Sequence, residues 1–323
     1  MMGFPRMLAW LLPIALVSLV TGLLIGSVPL SPATVWAVFR GQGEPLATTL
    51  LLELRLPRVL AAFAVGGLLA VAGALMQLLL RNPLADPYIL GLSGGAATGA
   101  LLAMVSGLGS AWISGSAFIG ALTSTLLVFG LARLSGHWNP LRLLLTGVVL
   151  ASGWGALISF MLAVSPSREL PGMLYWLMGD LSYAQGFVLP ALTLVLVLVV
   201  LQPLARSLNL LARGSLQAAS LGMAVPRMEG LIYLLAALMT AIAVTVAGSI
   251  GFIGLLVPHA LRLIFGYDQR LLLPACALAG GSLLVLADTL ARTLLAPQQL
   301  PVGVITALLG VPAFLWLLSR RPA

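Results

Sequence analysis

Long apolar blocks separated by short polar segments organise this chain. The blocks run over 7–27, 57–80, 88–106, 111–133, 141–164, 187–205, 229–250, 271–295 and 302–319. A shorter one, 252–266, lies between Gly251 and the polar Tyr267-Asp268-Gln269-Arg270. A helix needs about 20 apolar residues to cross the hydrocarbon core of a bilayer. The pattern therefore predicts an all-α integral membrane protein of about ten transmembrane helices, folded as a single domain over 1–323. The first block follows Arg6 and resembles a signal peptide. It is long enough to span and further spans follow it, so it reads as a retained signal anchor.

The polar positions test that count. With the N-terminus inside and ten spans, the inner segments hold Arg6, Arg81, Arg133, Arg142, Arg206, Arg213, Arg227, Arg262, Arg270, Arg320 and Arg321. The outer segments hold Arg40, Arg55, Arg58, Arg168 and Arg292. Eleven against five follows the positive-inside rule. Leaving 252–266 outside the membrane would move His259, Arg262 and Arg270 to the outer side and weaken the bias. Both termini are thus expected in the cytoplasm, with the chain crossing the membrane many times.

Two internal regularities follow. Val71-Ala72-Gly73, Pro83, Ala85, Ile89 and Gly91 recur 175 residues later as Val246-Ala247-Gly248, Pro258, Ala260, Ile264 and Gly266. In a ten-span topology the copies cross in opposite directions, the signature of an inverted repeat, although chance matches are common in so apolar a chain. Gly91, Gly95 and Gly99 fall four apart, as do Gly147, Ala151 and Gly155, which lets neighbouring helix backbones approach closely.

Composition narrows the function. The chain is 61% hydrophobic and 7% charged, against roughly 25% charged in a soluble domain. All sixteen cationic residues are arginine. Without lysine there is no P-loop, so any ATP that drives this protein is hydrolysed by another polypeptide. The single cysteine, Cys276, excludes intrachain disulfides, and two histidines, His137 and His259, cannot build a multi-histidine metal site by themselves. No catalytic residue, cofactor or metal site is expected in the chain, and no nucleic-acid partner.

Three stretches go further. The first is Arg55-Leu56-Pro57-Arg58 with Val71-Ala72-Gly73-Ala74-Leu75-Met76-Gln77 and Arg81-Asn82-Pro83-Leu84-Ala85-Asp86-Pro87. The second is Ala247-Gly248-Ser249-Ile250-Gly251-Phe252-Ile253-Gly254-Leu255-Leu256-Val257-Pro258-His259. The third is Leu286-Ala287-Asp288-Thr289-Leu290-Ala291-Arg292, then Leu300-Pro301-Val302-Gly303-Val304-Ile305-Thr306. In order and spacing they resemble the FecCD-type permease subunits of type II ABC importers, which take up ferric siderophores, heme and vitamin B12. The resemblance covers nearly everything from Arg55 onward. It implies ten spans, a homodimer with the pathway on its two-fold axis, two cytoplasmic ATP-binding subunits and a periplasmic substrate-binding protein.

The residues themselves leave two readings of the outer arginines open. Arg55 and Arg58 lie three apart near one helix face, and Arg292 lies four residues after Asp288, the spacing of an ion pair within a helix. They either neutralise and snorkel locally, or form a basic rim that grips an acidic partner. The resemblance implies the second role for Arg55, Arg58 and Arg292, docking glutamates on the lobes of the binding protein. On the inner side, Gln217, Ala218, Ala219, Ser220, Leu221 and Gly222 sit in the longest loop, between Arg213 and Arg227. They read either as a solvated connector or as a segment resembling the coupling helices that seat in the ATPase subunit. The family usually has an acid near Gln217 and this chain has none. Asn82 and Leu84, with Asn139 and Pro140, correspond to the cytoplasmic gate of the family's B12 permeases, although the prolines would end helices without gating anything.

Other classes fit less well. Gly91-Leu92-Ser93-Gly94 matches the nucleophile motif of rhomboid intramembrane proteases, but the serine needs a histidine base and His259 sits in a Pro-His context that the permease resemblance explains. An ion-coupled carrier needs a free acid in the membrane, and Asp288, the one acid expected well inside a span, has Arg292 beside it. The expectation is therefore a passive permease whose substrate is an iron complex, heme or ferric siderophore, with cobalamin as the alternative.

Overall fold

The computed structural model describes residues 4–133, 140–182, 184 and 186–319. Among these the regular elements are all helical, apart from a single bridge pairing Leu295 with Gln298. In chain order they are α1 (Phe4–Leu24), α2 (Pro32–Phe39), α3 (Pro45–Thr48), α4 (Leu56–Leu79), α5 (Leu92–Val105), α6 (Ser110–Arg133) and α7 (Pro140–Val164). There follow α8 (Leu170–Leu177), α9 (Val188–Ala212), α10 (Ser215–Ser220), α11 (Val225–Ala247), α12 (Ile253–Phe265), α13 (Gln269–Thr293) and α14 (Val302–Ser319). A π-helical stretch, Thr49–Arg55, joins α3 to α4, and a 3-10 turn, Pro87–Leu90, precedes α5.

Each of the ten apolar blocks became a helix. Seven helical stretches are long and apolar enough to cross a membrane, and α5, α12 and α14 are the shorter apolar helices. The two short ones, α5 and α12, start inside the bundle from irregular segments. Gly248 (φ 65°) ends α11, and a Cβ there would overlap the Trp176 carbonyl. The unwound backbone that follows finds protein partners, as burial in a bilayer requires. The Asp180 amide donates to the Ala247 carbonyl at 2.9 Å, and the Ile250 amide donates to the Tyr88 hydroxyl at 3.2 Å.

Helix α4 is the hub. Nearly every residue from Ala61 to Leu79 is buried, and α13, α11, α12 and α9 pack around it. Small residues make this crowding feasible. Gly66 on α4 meets Gly280 on α13, and Gly73 meets Gly254 on α12, so closely that a Cβ on either partner would overlap backbone or proline-ring atoms opposite. The glycine spacing read from the sequence serves the same end on α5, where Gly95 and Gly99 lie against Gly120 and Ser116 of α6. Gly91 faces Gly147 and Ala151 of α7, whereas Gly155 has open space beside it. Helices α1, α6, α7 and α9 turn long rows of leucine and valine outward, as a helix in lipid does.

The repeat motifs do not share one local structure. Val71-Ala72-Gly73 lies within α4, while Val246-Ala247-Gly248 ends α11. Residues 83–91 form turns and the 3-10 element, while 258–266 forms most of α12 and its cap. Small residues favour close packing in one copy and a helix stop in the other.

Candidate functional site

At the outer end the chain gathers the three arginines expected to dock a partner, and gives each an internal one. Arg55, at the end of the π-helical stretch, donates from Nη1 to the carbonyls of Leu23 (2.9 Å) and Leu24 (3.1 Å), and from Nη2 to that of Val28. These carbonyls lie at and beyond the C-terminus of α1, that of Leu24 also accepting from the Leu30 amide at 3.0 Å, and there a cation meets the negative end of the helix dipole. Arg58 forks onto Asp288, with Nε 3.0 Å and Nη2 2.7 Å from Oδ1. Its Nη1 donates to Gln299 Oε1 at 2.8 Å. Arg292 lies with Nε 3.0 Å from Asp288 Oδ2, close enough for attraction but not aligned as a hydrogen bond. Its Nη2 donates to the Gly22 carbonyl at 3.1 Å.

Asp288 is 1% exposed and therefore balances two arginines from different helices. The cluster ties α1, α4 and α13 together. Arg55 and Arg292 are buried, whereas the Arg58 side chain keeps an 11% exposed edge beside Gln299 and Ser182. The local pairing that the sequence left open as one alternative is thus present. Its stronger half, Arg58 with Asp288, joins residues 230 positions apart and has no local signature.

The inner end presents the segment expected to couple to an ATPase subunit. Gly214 (φ 131°) and Gly222 (φ 83°) bracket α10 with backbone conformations that side-chain-bearing residues rarely adopt. This makes a sharp elbow between α9 and α11. Ala218 is buried as its foot, while Gln217, Ala219 and Ser220 face outward and Leu216 is 88% exposed. Leu221 and Gly222, just past the helix, are exposed too. Because Ala219 is exposed, Ala219→Glu should leave insertion and thermal stability unchanged while lowering partner-dependent transport at least about tenfold, by placing an unpaired charge in the contact. Normal uptake by that variant, measured in proteoliposomes, would remove α10 from the coupling role.

After α4, Asn82 closes a tight turn by accepting from the Leu84 amide at 2.9 Å, with Arg81 in the left-handed region (φ 47°). Asp86 then accepts from the Tyr88 amide at 2.8 Å and starts the 3-10 element, which packs on α7. Burial pushes the Asp86 carboxyl up to about 6. Of the other gate residues, Asn139 lies outside the described residues and Pro140 is described only as the first residue of α7.

Two buried charged residues, Arg262 and Glu229, have no sign in the sequence of their burial. Arg262, assigned to an inner segment, is buried in the last turn of α12, donating to Gln77 Oε1 and to the Ala74 carbonyl at 3.3 Å. Gln77 in turn donates to the Leu255 carbonyl at 3.1 Å. Glu229, in the first turns of α11, is buried as well, so Asp288 is not the one enclosed acid. The protease reading finds no support. Helix α5 with Ser93 packs mainly on α6 and α7, while α12 with His259 packs on α4, α13 and α14. The His259 ring lies edge-on to Phe314, 5.8 Å away.

Known proteins share this architecture. The chain is 43% identical over 326 residues to the hemin transport system permease of Yersinia pestis, covering 98% of this chain and 96% of that one. It is 40% identical over 320 residues to the vitamin B12 import system permease of Escherichia coli, covering 96% and 95% respectively. A metal-chelate type ABC transporter solved in an inward-facing conformation superposes with a TM-score of 0.87 at 30% identity, covering 98% of this chain and all of that one. Residues 14–320 match the FecCD transport family along nearly the whole helical bundle. The chain belongs to the FecCD transport family.

Proposed function

We propose that this chain is the membrane-spanning half of an ATP-driven importer that moves an iron complex, heme or ferric siderophore, from the periplasm into the cytoplasm of a bacterium. The observation that carries this reading is the full-length likeness to the hemin permease. The lysine-free chain binds no nucleotide through a P-loop, so hydrolysis falls to two cytoplasmic ATP-binding subunits. The exposed elbow α10 is the segment through which their motion enters the membrane. A second copy completes the pathway. In support, α7 is largely unburied in the single chain, and Gly153 and Gly155 on it have open space beside them.

The outer end docks a periplasmic substrate-binding protein. Arg58 offers its exposed edge beside Gln299 and Ser182, while Arg55 and Arg292 hold the helix ends that shape the surface. On the inner side Asn82, Leu84, Asn139 and Pro140 form the gate. Asp288 is held between Arg58 and Arg292; with Glu229 enclosed as well, it is membership of the FecCD transport family that argues against an ion-coupled carrier.

Cobalamin remains the second candidate substrate, favoured by the likeness to the vitamin B12 permease. The deciding experiment measures ATP hydrolysis by the reconstituted complex with its binding protein, adding heme, ferric siderophore and cobalamin in parallel. Stimulation by heme or siderophore supports the proposal. Stimulation by cobalamin alone would transfer the chain to the second substrate.

A further inference from the structure

Helix α2 has one bare face. Its eight residues, Pro32–Phe39, form a self-contained helix. Ser31 caps the start, its Oγ accepting from the Thr34 amide at 3.0 Å, and proline occupies the first position. The helix is held from one side. Val38 is buried with Ala47 and Leu51, and Leu23, Leu30 and Val35 pack against them. The other side is bare. Trp36 is 60% exposed and Phe39 54%, three residues apart and so on one face. Arg40 follows directly, its guanidinium carbon 4.8 Å from the centre of the Trp36 ring. The helix contains no acid; Arg40 caps its end, and exposed Glu44 follows four residues later at the start of α3.

From these positions we infer that α2 is an interfacial anchor on the outer leaflet, with Trp36 and Phe39 seated at the boundary between headgroups and acyl chains and Arg40 bound to a phospholipid phosphate. Three observations select lipid as the occupant. The face sits at the end of a spanning helix that faces lipid, since Leu23 of α1 packs against the small core under α2, and Leu16, Val17 and Val20 of the same helix are exposed. Aromatic rings with one wet edge settle at the membrane interface. A guanidinium at that depth meets phosphate oxygens, which it binds in a forked geometry, while its ring contact screens it from the hydrocarbon. A docked protein would instead need a polar rim around the aromatics, and α2 supplies a single arginine.

The test uses the full chain in nanodiscs of phosphatidylethanolamine and phosphatidylglycerol brominated either near the carbonyl end or near the methyl end of the acyl chains. The Trp36 signal is the fluorescence difference between the parent and Trp36→Phe, which keeps an aromatic ring at the site. Shallow bromines should quench that signal more than deep ones, and aqueous iodide should quench it little. Arg40→Glu, which repels phosphate, should raise quenching by the neutral quencher acrylamide about twofold without lowering thermal stability, because the Arg40 side chain is exposed; iodide is unsuitable for this variant, since the new charge repels it. A signal open to iodide and blind to bromine would overturn the inference. So would a signal blind to both, as a second copy covering the helix would produce. Shielding from iodide that begins only when a soluble binding protein is added would assign the face to that protein and likewise overturn it.

Discussion

Replacing Asp288 by asparagine should destabilise the protein by about 3–5 kcal/mol, the cost of breaking a buried ion pair from one side. The carboxylate is 1% exposed and faces the guanidiniums of Arg58 and Arg292, with that of Arg55 close by on the α1 carbonyls. An asparagine keeps the shape and removes the charge, so two buried cations repel each other with nothing between them. Adding Arg292→Gln to Asp288→Asn should recover part of the loss, because one uncompensated charge is then removed. Thermal unfolding of the purified protein in detergent measures both. A single variant that melts with the parent would show that the cluster contributes nothing to the fold.

The second large effect is steric. Gly73→Ala should cost about 1–3 kcal/mol and Gly73→Leu more, because the new side chain would overlap the backbone of Gly254. Helix α4 sits at the centre of the bundle with α12 lying along it, so the overlap cannot be relieved by moving a side chain aside. The two helices must separate, and with them the Arg262–Gln77 contact that joins them one turn further on. Gly115 on α6 is the control. It has open space around it, so Gly115→Ala should be neutral or slightly stabilising by helix propensity. Equal losses at the two positions would mean that the α4–α12 contact is not tight.

What the sequence revealed divides along a physical line. A membrane-crossing helix has to be apolar over its length, so 111–133 and 141–164 were legible to within a residue of α6 and α7. Helix α9 runs seven residues past its apolar block because Arg206 and Asn209 belong to a stretch that has left the hydrocarbon, where the apolar rule no longer applies. Helices α2 and α8 were missed for a similar reason. At eight residues each, they lie outside the spans; a serine cap and a small local core set α2, and a local core around Met173 sets α8. In the site, the spacing of Asp288 and Arg292 gave their pairing away, since it is local. The fork from Arg58 was not readable, because it depends on α4 and α13 lying side by side. Arg262 was read as a loop charge because charge alone does not reveal a buried partner, and Gln77 lies 185 residues earlier.

ATP-driven uptake into proteoliposomes separates a passive permease from an enzyme or a self-sufficient carrier. This chain is incorporated alone, with its ATP-binding subunit, and with both that subunit and the binding protein, and ATP hydrolysis and substrate accumulation are followed together. The predicted result is no hydrolysis and no accumulation by the chain alone, hydrolysis once the ATP-binding subunit is present, and accumulation only with the complete set. Hydrolysis by this polypeptide alone, or accumulation driven by a proton or sodium gradient without the ATP-binding subunit, would contradict it.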